Sequence, residues 1–409
     1  MKRHVHLGLG RFHRAHQAFY LEQVGWKITA FSMRSPGEAD ALRANDHLYH
    51  LKVIGGAEPV TRPMKVIDSA YFMSRDTEQF FQLMEDPSVK TVSLTITEKG
   101  YCANSEGQLD SEHPGLESCA LSYLVKGIER RQRLHVEPLN ILSCDNLVSN
   151  GELLARVCGQ WAEKFGHSID FSKLSFPNTM VDRIVPSGPD PLLVSTEQFH
   201  QWVIEDKFLG ERPRWEQPGL FFAESVEAFE VYKLGLLNAS HSFMAYYGQL
   251  RGHEFVHQAV RDEHLRSLIE KLYFQEVGPR LKPPHGLALQ DYGEALLARF
   301  DNPGLPHKLS QIAMDGSQKV PQRFLPHIKE SSVLKLAYSA WFSYMWLGIT
   351  KRHDFFLSDP RLGQLKAAAC RNFQETVAAW KALLGWPDYP VELLESPGSS
   401  ATQSSNSSS

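Results

Sequence analysis

The chain has 409 residues, of which 42% are hydrophobic and 22% are charged, and its formal net charge at pH 7 is -4. This composition is typical of a globular protein that is long enough for two substantial domains. The small negative charge and the scattered basic residues give no reason to expect a nucleic-acid or acidic-membrane partner.

The five cysteines show no spacing typical of a metal site. Their odd number, with no apolar leader at the N-terminus, predicts reduced thiols and a cytoplasmic location. The most apolar stretch is VLKLAYSAWFSYMWLGI at 333–349, which contains a lysine and is short for a membrane span. We therefore expect a buried helix there and no membrane contact.

The first part of the chain alternates short β-rich runs with helical patterns. The runs HVHLGL, ITAFSM, KTVSLTIT and PLNILSC are apolar and rich in β-branched residues, as in buried parallel strands. Helical patterns follow the first two runs, at about 13–24 and in PGEADALRAND. Alternation of this kind predicts an open α/β sheet.

Beyond about residue 225 the pattern becomes helical. We expect helices within the following ranges: 227–249, 259–279, 287–300, 317–329, 331–350 and 359–384. The predicted fold class is therefore α/β, with a Rossmann-type N-terminal domain followed by a mostly α-helical C-terminal domain. The predicted domains are 1–226 and 227–395, and a tail at 396–409 is expected to be disordered because it has almost no apolar residues.

A glycine pair follows the first predicted strand, in the stretch LGLGRFHRAHQAFY. Gly8 permits a tight turn, and Gly10 leaves room for a pyrophosphate at the N-terminus of the next helix. The third glycine of the dinucleotide fingerprint is replaced by His13, so the motif is incomplete. The pattern nevertheless predicts a cofactor site that includes Phe12 and His13.

The residue that would contact the ribose is ambiguous. NAD enzymes usually have an acid at the end of the second strand, where this chain has Arg34. Glu38 and Asp40 come slightly late for that position. Arg34 suits the 2′-phosphate of NADP. A solvated arginine at the end of the strand is also compatible with NAD. We expect NAD, with NADP as the alternative.

The stretch EVYKLGLLNASHS at 230–242 collects four reactive side chains. At about 100° per residue, Glu230, Lys233, Asn238 and His241 share one face of a helix. A solvated polar face would give the same pattern, but the apolar neighbours LGLL and SFMAYYG favour burial, which is rare for Lys and Glu without a function. A partly desolvated amine serves as a general base, an amide stabilises an alkoxide, and an imidazole orients a hydroxyl. With a nicotinamide, that set performs hydride transfer without a metal.

Six stretches taken together resemble one family. They are GLGRFHRAHQAFY, TITEKGY, SCDNLVSNG, FPNTMVDRIVP, KLGLLNASHS and DGSQKVPQR, in the order found in the polyol-specific long-chain dehydrogenase/reductase family. The family includes mannitol 2-dehydrogenase, fructuronate reductase and tagaturonate reductase. The resemblance covers nearly the whole chain to about residue 390. It implies a Rossmann-type domain, a helical domain with the site between the two, and a metal-independent mechanism.

The resemblance also implies individual roles. Lys233 matches the catalytic base of the family, Asn238 and Asn146 match its two oxyanion amides, and His241 matches a substrate-orienting residue. Glu230 matches a carboxylate that modulates proton release. Asp182 matches an active-site aspartate of the family. Glu98 and Lys99 match residues near the nicotinamide.

Substrate choice remains open at this stage. The stretch at 299–323 resembles the fructuronate reductase branch, and the pair His307 and Lys308 would bind the carboxylate of a sugar acid. We therefore expect D-mannonate/D-fructuronate, with mannitol/fructose or arabinitol/xylulose as alternatives. A catalytically silent relative that senses a sugar acid or nucleotide is an alternative of another class.

No histidine pair has a third ligand at metal spacing, so no metal is expected. The expected assembly is a monomer or a small homo-oligomer.

Overall fold

The computed structural model describes residues 3–55, 58–104, 106–136, 138–284 and 287–394. The predicted tail at 396–409 lies outside these residues. The chain divides into two compact units, Met1–Glu227 and Ala228–Ser409.

The strands are all found in the first unit, as far as the chain is described. In chain order they are β1 (Arg3–Leu7), β2 (Lys27–Ser32), β3 (Tyr49–Ile54), β4 (Val60–Met64), β5 (Ile67–Phe72), β6 (Val89–Leu94), β7 (Leu139–Ser143), β8 (Leu174–Ser175), β9 (Thr179–Asp182), β10 (Leu193–Glu197), β11 (Gln201–Glu205) and β12 (Leu220–Ala223).

Six of these strands form one parallel sheet in the order β5-β2-β1-β6-β7-β8. Numbered within the sheet, this is the 3-2-1-4-5-6 order of a Rossmann fold. The order reverses between β1 and β6, so the carboxyl ends of these two strands form the switch point where such sheets bind dinucleotides.

The central strands of the main sheet, β1, β2, β6 and β7, are mostly buried because helices cover a parallel sheet on both faces. The burial of all five residues of β7 illustrates this. The helices of the first unit are α1 (Arg11–Ala15), α2 (Gln17–Gln23), α3 (Gly37–Ala44), α4 (Thr77–Glu85), α5 (Thr97–Gly100), α6 (Ala120–Arg133) and α7 (Asn150–Lys164), with 3₁₀ turns at Leu116–Ser118 and Phe171–Lys173.

Two three-stranded sheets complete the first unit. One has the order β10-β3-β4 and the other β12-β11-β9. Each combines a parallel pair with an antiparallel pair. Neither sheet was predicted from the sequence.

The described part of the second unit is helical. Its helices are α8 (Glu227–Tyr232, whose first residue closes the first unit), α9 (Ala239–Phe243), α10 (Val256–Arg261), α11 (Glu263–Lys271), α12 (Leu289–Phe300), α13 (Leu309–Ile312), α14 (Gly316–Arg323), α15 (Ser332–Ile349), α16 (Leu362–Ala368) and α17 (Phe373–Leu384). Three π-helical turns occur at Lys233–Asn238, Met244–Gly248 and Leu272–Glu276, and two 3₁₀ turns at Gly278–Arg280 and Leu325–Glu330.

Helix α15 lies in the core of the second unit, as the apolar stretch at 333–349 predicted. No helix in the described residues is long and apolar enough to cross a membrane. The predicted fold class, a Rossmann-type domain followed by a mostly helical one, is confirmed. The pattern at 359–384 is two helices rather than one, because Asn372 caps a new helix start at α17.

Candidate active site

A glycine turn follows β1 at the switch point of the main sheet. Gly8 has a left-handed φ of +104°, and a Cβ there would lie 2.0 Å from the backbone oxygen of Thr95. The Gly8 N–H donates to the Phe31 carbonyl at 2.8 Å, which fixes the turn against the end of β2. Only glycine fits both the conformation and the close approach.

Gly10 precedes α1 and leaves open space. A Cβ at Gly10 would have a single neighbour within 4 Å in the described chain, the Gly8 carbonyl at 3.6 Å. Space of this kind at the start of the first βα unit suits a pyrophosphate. The residues around the turn therefore fit a dinucleotide.

His13 lies inside the first unit and not on its surface. Its exposure is 0%, and its ring stacks on His6 with centroids 3.4 Å apart. Burial, with His6, His4 and Arg14 nearby, lowers the pKa of His13 well below its usual value. The buried His13 side chain offers no surface to a cofactor, whereas its backbone belongs to the first turn of α1, so the predicted cofactor role of His13 stays a prediction. Phe12 stacks on His16 and is partly exposed, so its predicted role stays open.

The residues considered for the ribose all have partners within the first unit. The exposed Arg34 donates from Nη2 to Thr97 Oγ1 at 2.7 Å. Glu38 accepts from Arg14 at 2.7 Å, and Asp40 pairs with Arg75 at 2.7 Å. Arg34 therefore lies beside the turn that follows β6.

That turn, Thr97–Gly100, carries Glu98 and Lys99 with exposed side chains. It begins at Thr97, whose φ is +62°. The predicted proximity of Glu98 and Lys99 to a nicotinamide agrees with a place beside the switch point and stays a prediction.

Two further predicted residues follow strands of the first unit. Asn146 is exposed and comes three residues after β7 ends at Ser143. Asp182 is the last residue of β9 and is 4% exposed. The roles that the family resemblance implies for these two residues stay predictions.

The helix with the four reactive side chains is not a regular α-helix. It continues from α8 through the π turn Lys233–Asn238 into α9. A π turn closes i→i+5 hydrogen bonds, so residue 238 lies one hydrogen-bonded turn beyond residue 233. Lys233 and Asn238 are therefore closer to alignment than the 100° spacing predicted, and π turns of this kind are frequent at functional sites.

All three residues at the start of this group are buried. Glu230, Lys233 and Asn238 are 7%, 8% and 6% exposed, so the expected burial of the polar face is confirmed. The Asn238 Nδ2 has no hydrogen-bond partner among the described residues. A buried amide without a partner is rare in native proteins and is consistent with a ligand-facing donor.

His241 is surrounded by aromatic and cationic side chains of the second unit. Its ring stacks on Phe300 and meets His307 edge-on, with centroids 5.1 Å away in each case. Its Nε2 and the Nδ1 of His307 have no partner among the described residues. Burial first, then electrostatic interaction with His307, Arg323, Arg299 and Lys319, lowers the pKa of His241 well below its usual value. His241 is therefore a neutral imidazole near pH 7.

Lys308 does not share this environment. Its side chain is 57% exposed and its Nζ pairs with Glu254 at 3.1 Å, while the neighbouring His307 is directed to His241. Adjacent residues in extended backbone point in opposite directions, which explains the separation of the pair. The role of Lys308 as the cation for a substrate carboxylate stays a prediction, with its amine exposed and paired with Glu254 in this structure.

Sequence reasoning overlooked the cations that do lie around His241. Lys319 and Arg323 are four residues apart on α14 and share one face of that helix. The Arg323 Nη1 donates to Ser242 Oγ at 2.8 Å. Both residues belong to DGSQKVPQR, a stretch quoted for the family resemblance, and their i, i+4 spacing was the available signal.

Metal ligands form no cluster in the described residues, where no group of three or more His, Cys, Asp or Glu side chains is arranged to hold an ion. The histidines of β1 have other partners. His4 and His6 share hydrogen bonds with Ser93, at 2.6 and 2.7 Å.

The fold and the residues placed on it are those of a Rossmann-type dehydrogenase. Residues 2–217 match the model of the mannitol dehydrogenase Rossmann domain, and residues 225–388 match that of the mannitol dehydrogenase C-terminal domain. The chain belongs to the mannitol dehydrogenase family of oxidoreductases, as the resemblance of its motifs predicted.

Individual relatives agree with this assignment. The D-mannonate oxidoreductase of Escherichia coli (strain K12) is 35% identical over 80% of this chain and 74% of its own length. A mannitol 2-dehydrogenase of Pyrenophora tritici-repentis (strain Pt-1C-BFP) is 34% identical over 89% of this chain and 72% of its own. The structure of Pseudomonas fluorescens mannitol 2-dehydrogenase with NAD and D-mannitol aligns with a TM-score of 0.81 at 28% identity, over 94% of this chain and 91% of that chain.

Proposed function

We propose that this enzyme interconverts D-mannonate and D-fructuronate with NAD, and that the substrate carboxylate binds the cations around His241. The coarser part of this statement follows from the family: the chain is an NAD-dependent oxidoreductase of secondary alcohols. The choice of a sugar acid over a polyol is the proposal.

Sequence identity does not separate the two substrate classes. The relatives named for mannonate and for mannitol are 35% and 34% identical to this chain. The site must therefore be read from its chemistry.

The observation that carries the proposal is the set of side chains around His241. Three polar nitrogens, Asn238 Nδ2, His241 Nε2 and His307 Nδ1, have no partner among the described residues. They occur with cationic side chains whose positive field reaches His241: Arg299, Lys319 and Arg323. Neutral donors suit the hydroxyl groups of any sugar, but a concentration of positive charge favours an anionic one.

The side chains have distinct tasks in the oxidation of the alcohol. In its neutral form the Lys233 amine accepts the hydroxyl proton, because a mostly desolvated amine is a competent general base. The Asn238 amide donates to the oxygen as negative charge develops on it, and His241 orients the same hydroxyl. A bound NAD would supply the hydride acceptor for the carbinol carbon.

The first unit supplies the residues that fit the cofactor. The glycine turn at Gly8 and Gly10 would hold the pyrophosphate, and Glu98 and Lys99 lie exposed beside the switch point. We propose Asn146 as the second amide on the reacting oxygen, with Glu230 and Asp182 as the carboxylates that the family resemblance implies.

Steady-state kinetics test the proposal. Oxidation of the reduced cofactor is followed at 340 nm with fructuronate, tagaturonate, fructose and xylulose, each with NADH and with NADPH. We expect the highest kcat/KM for fructuronate with NADH. A higher kcat/KM for fructose would instead support the mannitol alternative, and a preference for NADPH would show that Arg34 binds the 2′-phosphate.

A catalytically silent relative is the competing class of function. The presence of Lys233, Asn238, His241 and Asn146 together argues against it, because a chain that no longer catalyses has no need of the whole set. Absence of turnover with every substrate and both cofactors, with intact binding of NADH, would favour that alternative.

A further inference from the structure

We propose that Asp145 is a positioning residue for the cofactor: with Arg34, it holds the left-handed turn at Thr97 that follows β6. The inference rests on the proposed NAD site of the first unit and gives a role to Asp145 and Thr97, which lie in two of the family motifs but had no role assigned to them. Asp145 acts through the turn and does not touch the reacting atoms.

The Asp145 carboxylate binds the turn at three points. Its Oδ1 accepts the Thr97 N–H at 2.8 Å, and its Oδ2 accepts the Ile96 N–H at 3.0 Å. The same Oδ2 accepts the hydroxyl of Tyr101 at 2.8 Å. One side chain from the segment after β7 therefore holds both ends of the segment 96–101.

Thr97 needs this support because its backbone is strained. Its φ of +62° lies in the left-handed region, where a β-branched residue is a genuine outlier. Strained residues persist only where the surrounding structure over-determines them. At Thr97 the restraints are the carboxylate of Asp145 on the N–H and the guanidinium of Arg34 on Oγ1, at 2.7 Å.

These contacts continue into the glycine turn. Thr95 Oγ1 donates to the Gly8 carbonyl at 2.9 Å, and Gly8 N–H donates to Phe31 at 2.8 Å. Hydrogen bonds therefore join the carboxyl ends of β1, β2, β6 and β7. This edge contains the switch point, which is where a Rossmann sheet binds its dinucleotide.

The function of the turn depends on its exact placement beside the cofactor. Thr97, Glu98 and Lys99 are exposed on it, so its outer face is available to a ligand. Misplacement by about 1 Å can reduce a rate by two orders of magnitude when it disturbs a reactive geometry. Loss of the Asp145 contacts would release the strained Thr97 and move these residues.

The ionisation of Asp145 gives this arrangement a pH dependence. Burial raises the pKa of Asp145 to about 6, against the opposing effect of the Ile96 and Thr97 N–H groups and the Tyr101 hydroxyl. The other titratable and charged groups that face the carboxyl are Glu98 and Cys144, while Arg34 reaches the same turn through Thr97. Above pH 6 both oxygens accept; below it, one of them carries a proton and cannot accept an N–H.

The test is Asp145→Asn, studied by fluorescence titration of NADH between pH 5 and 8. An amide has the shape of the carboxyl but presents an NH2 group to one of the two N–H donors. We expect the Kd of NADH to rise about 10-fold at pH 7.5, the cost of one lost hydrogen bond to a charged group. The wild-type enzyme should lose affinity below about pH 6, and the variant should not show this change.

Asp262→Asn is the matched control. Asp262 also accepts two consecutive N–H groups, those of His264 and Leu265, at the start of α11 in the second unit. Its loss should reduce thermal stability without changing the Kd of NADH or its pH profile.

Two further measurements keep the inference testable if Asp145→Asn folds poorly or if NADH does not bind. Thr97→Val keeps the shape of the side chain and removes only the acceptor of Arg34, so the Kd of NADH should rise with unchanged folding. Hydrogen exchange of the Ile96 and Thr97 amides should be faster in Asp145→Asn, with or without a cofactor. Unchanged exchange would overturn the inference, as would NADH binding within 2-fold of wild type with the same pH profile. Failure of the wild type to reduce any ketose, with these effects present, would overturn only the proposed substrate.

Discussion

Lys233 is the residue on which the proposed chemistry depends most. It is 8% exposed and begins the π turn that ends at Asn238. We predict that Lys233→Ala lowers kcat by about 10²–10⁴-fold, the usual contribution of a general base, and changes the Kd of NADH by less than 2-fold. Stopped-flow absorbance at 340 nm and fluorescence titration measure the two quantities. Turnover close to wild type across pH 6–10 would rule Lys233 out as the base.

The cations of the second unit allow a test of substrate class. We predict that Lys319→Met raises the KM for fructuronate about 10-fold or more, because a hydrogen bond between charged groups contributes about 1.5–3 kcal/mol, and that it changes the KM for fructose much less. Lys319 contributes to the positive field at His241, whereas a neutral hydroxyl gains little from that field.

Lys308→Met is the matched control for this prediction. Lys308 carries the same charge but is exposed and paired with Glu254. Its KM values for fructuronate and fructose should stay near wild type. If Lys308→Met and not Lys319→Met weakened the binding of fructuronate selectively, the role predicted for Lys308 from the sequence would be supported.

The features at the residue level that the sequence did not predict have one physical cause. The sequence correctly predicted a glycine turn after β1 and the burial of Lys233 and Asn238, because residue type and spacing along one element are local properties. It could not predict that His13 turns inward onto His6 or that Lys308 turns outward to Glu254. Side-chain direction depends on neighbours that are distant in sequence, and Thr97, Asp145 and Arg34 came together in the same way.

At the scale of elements, the buried strands were predictable and the peripheral ones were not. The four runs rich in β-branched residues became β1, β2, β6 and β7, because strands covered on both faces are mainly apolar. By contrast, β4 reads VTRPM and has three exposed positions and an internal proline. Met64 is its one buried residue, so β4 shows too little alternation of apolar and polar residues to be predicted.

The π turn at Lys233–Asn238 changes the geometry expected for the site, because it alters the angle between the two side chains around the helix axis. An α-helix would place Asn238 about 140° around the axis from Lys233, at 100° per residue. The i→i+5 turn reduces this offset and brings the amide nearer to the side of the amine. Hydrophobic periodicity cannot detect one inserted residue, which is why the sequence predicted a regular helix.

This geometry predicts the effect of a one-residue insertion. An alanine inserted after the partly exposed Leu234 should rotate Asn238 and His241 by about 100° relative to Glu230 and Lys233. We expect helix content to persist, measured by circular dichroism, and kcat/KM for the preferred ketose to fall by more than about 100-fold, in line with the effect of a misplaced reactive group.

An alanine inserted after Tyr247 is the corresponding control, since Tyr247 is partly exposed in the second π turn, Met244–Gly248. It leaves the relation of Lys233, Asn238 and His241 unchanged and should preserve a much larger share of kcat/KM. Equal losses in the two insertions would show that the spacing of Lys233 and Asn238 has no special role.

For the whole molecule, net charge is too small to control stability. A formal charge of -4 over 409 residues produces little self-repulsion near neutral pH. Acid stability must therefore depend on individual carboxyl groups whose pKa changes on folding. Glu276 is one of these, because it joins the π turn at Leu272–Glu276 to the start of the buried helix α15.

The Glu276 carboxylate accepts from Ser331 Oγ, Ser332 Oγ and the Val333 N–H, and it pairs with Lys271 at 3.3 Å. Burial alone would raise the pKa of Glu276, but these partners outweigh it and lower the pKa to about 2. The ionised form is therefore favoured more strongly in the folded state than in the unfolded chain.

Because folding lowers the pKa of Glu276, its carboxylate stabilises the fold. This stabilisation is fully present above the pKa of the unfolded chain, about 4.5, and is lost as the pH falls toward 2. The contribution of Glu276 is on the order of 3 kcal/mol. We predict that Glu276→Gln lowers the free energy of unfolding at pH 7 by up to this amount and loses less stability than wild type between pH 5 and 3, measured by urea unfolding. Glu270→Gln, which removes an exposed partner of Arg266 on α11, should change neither quantity measurably. If Glu276→Gln lost as much stability as wild type between pH 5 and 3, the acid sensitivity would have to originate in other carboxyl groups.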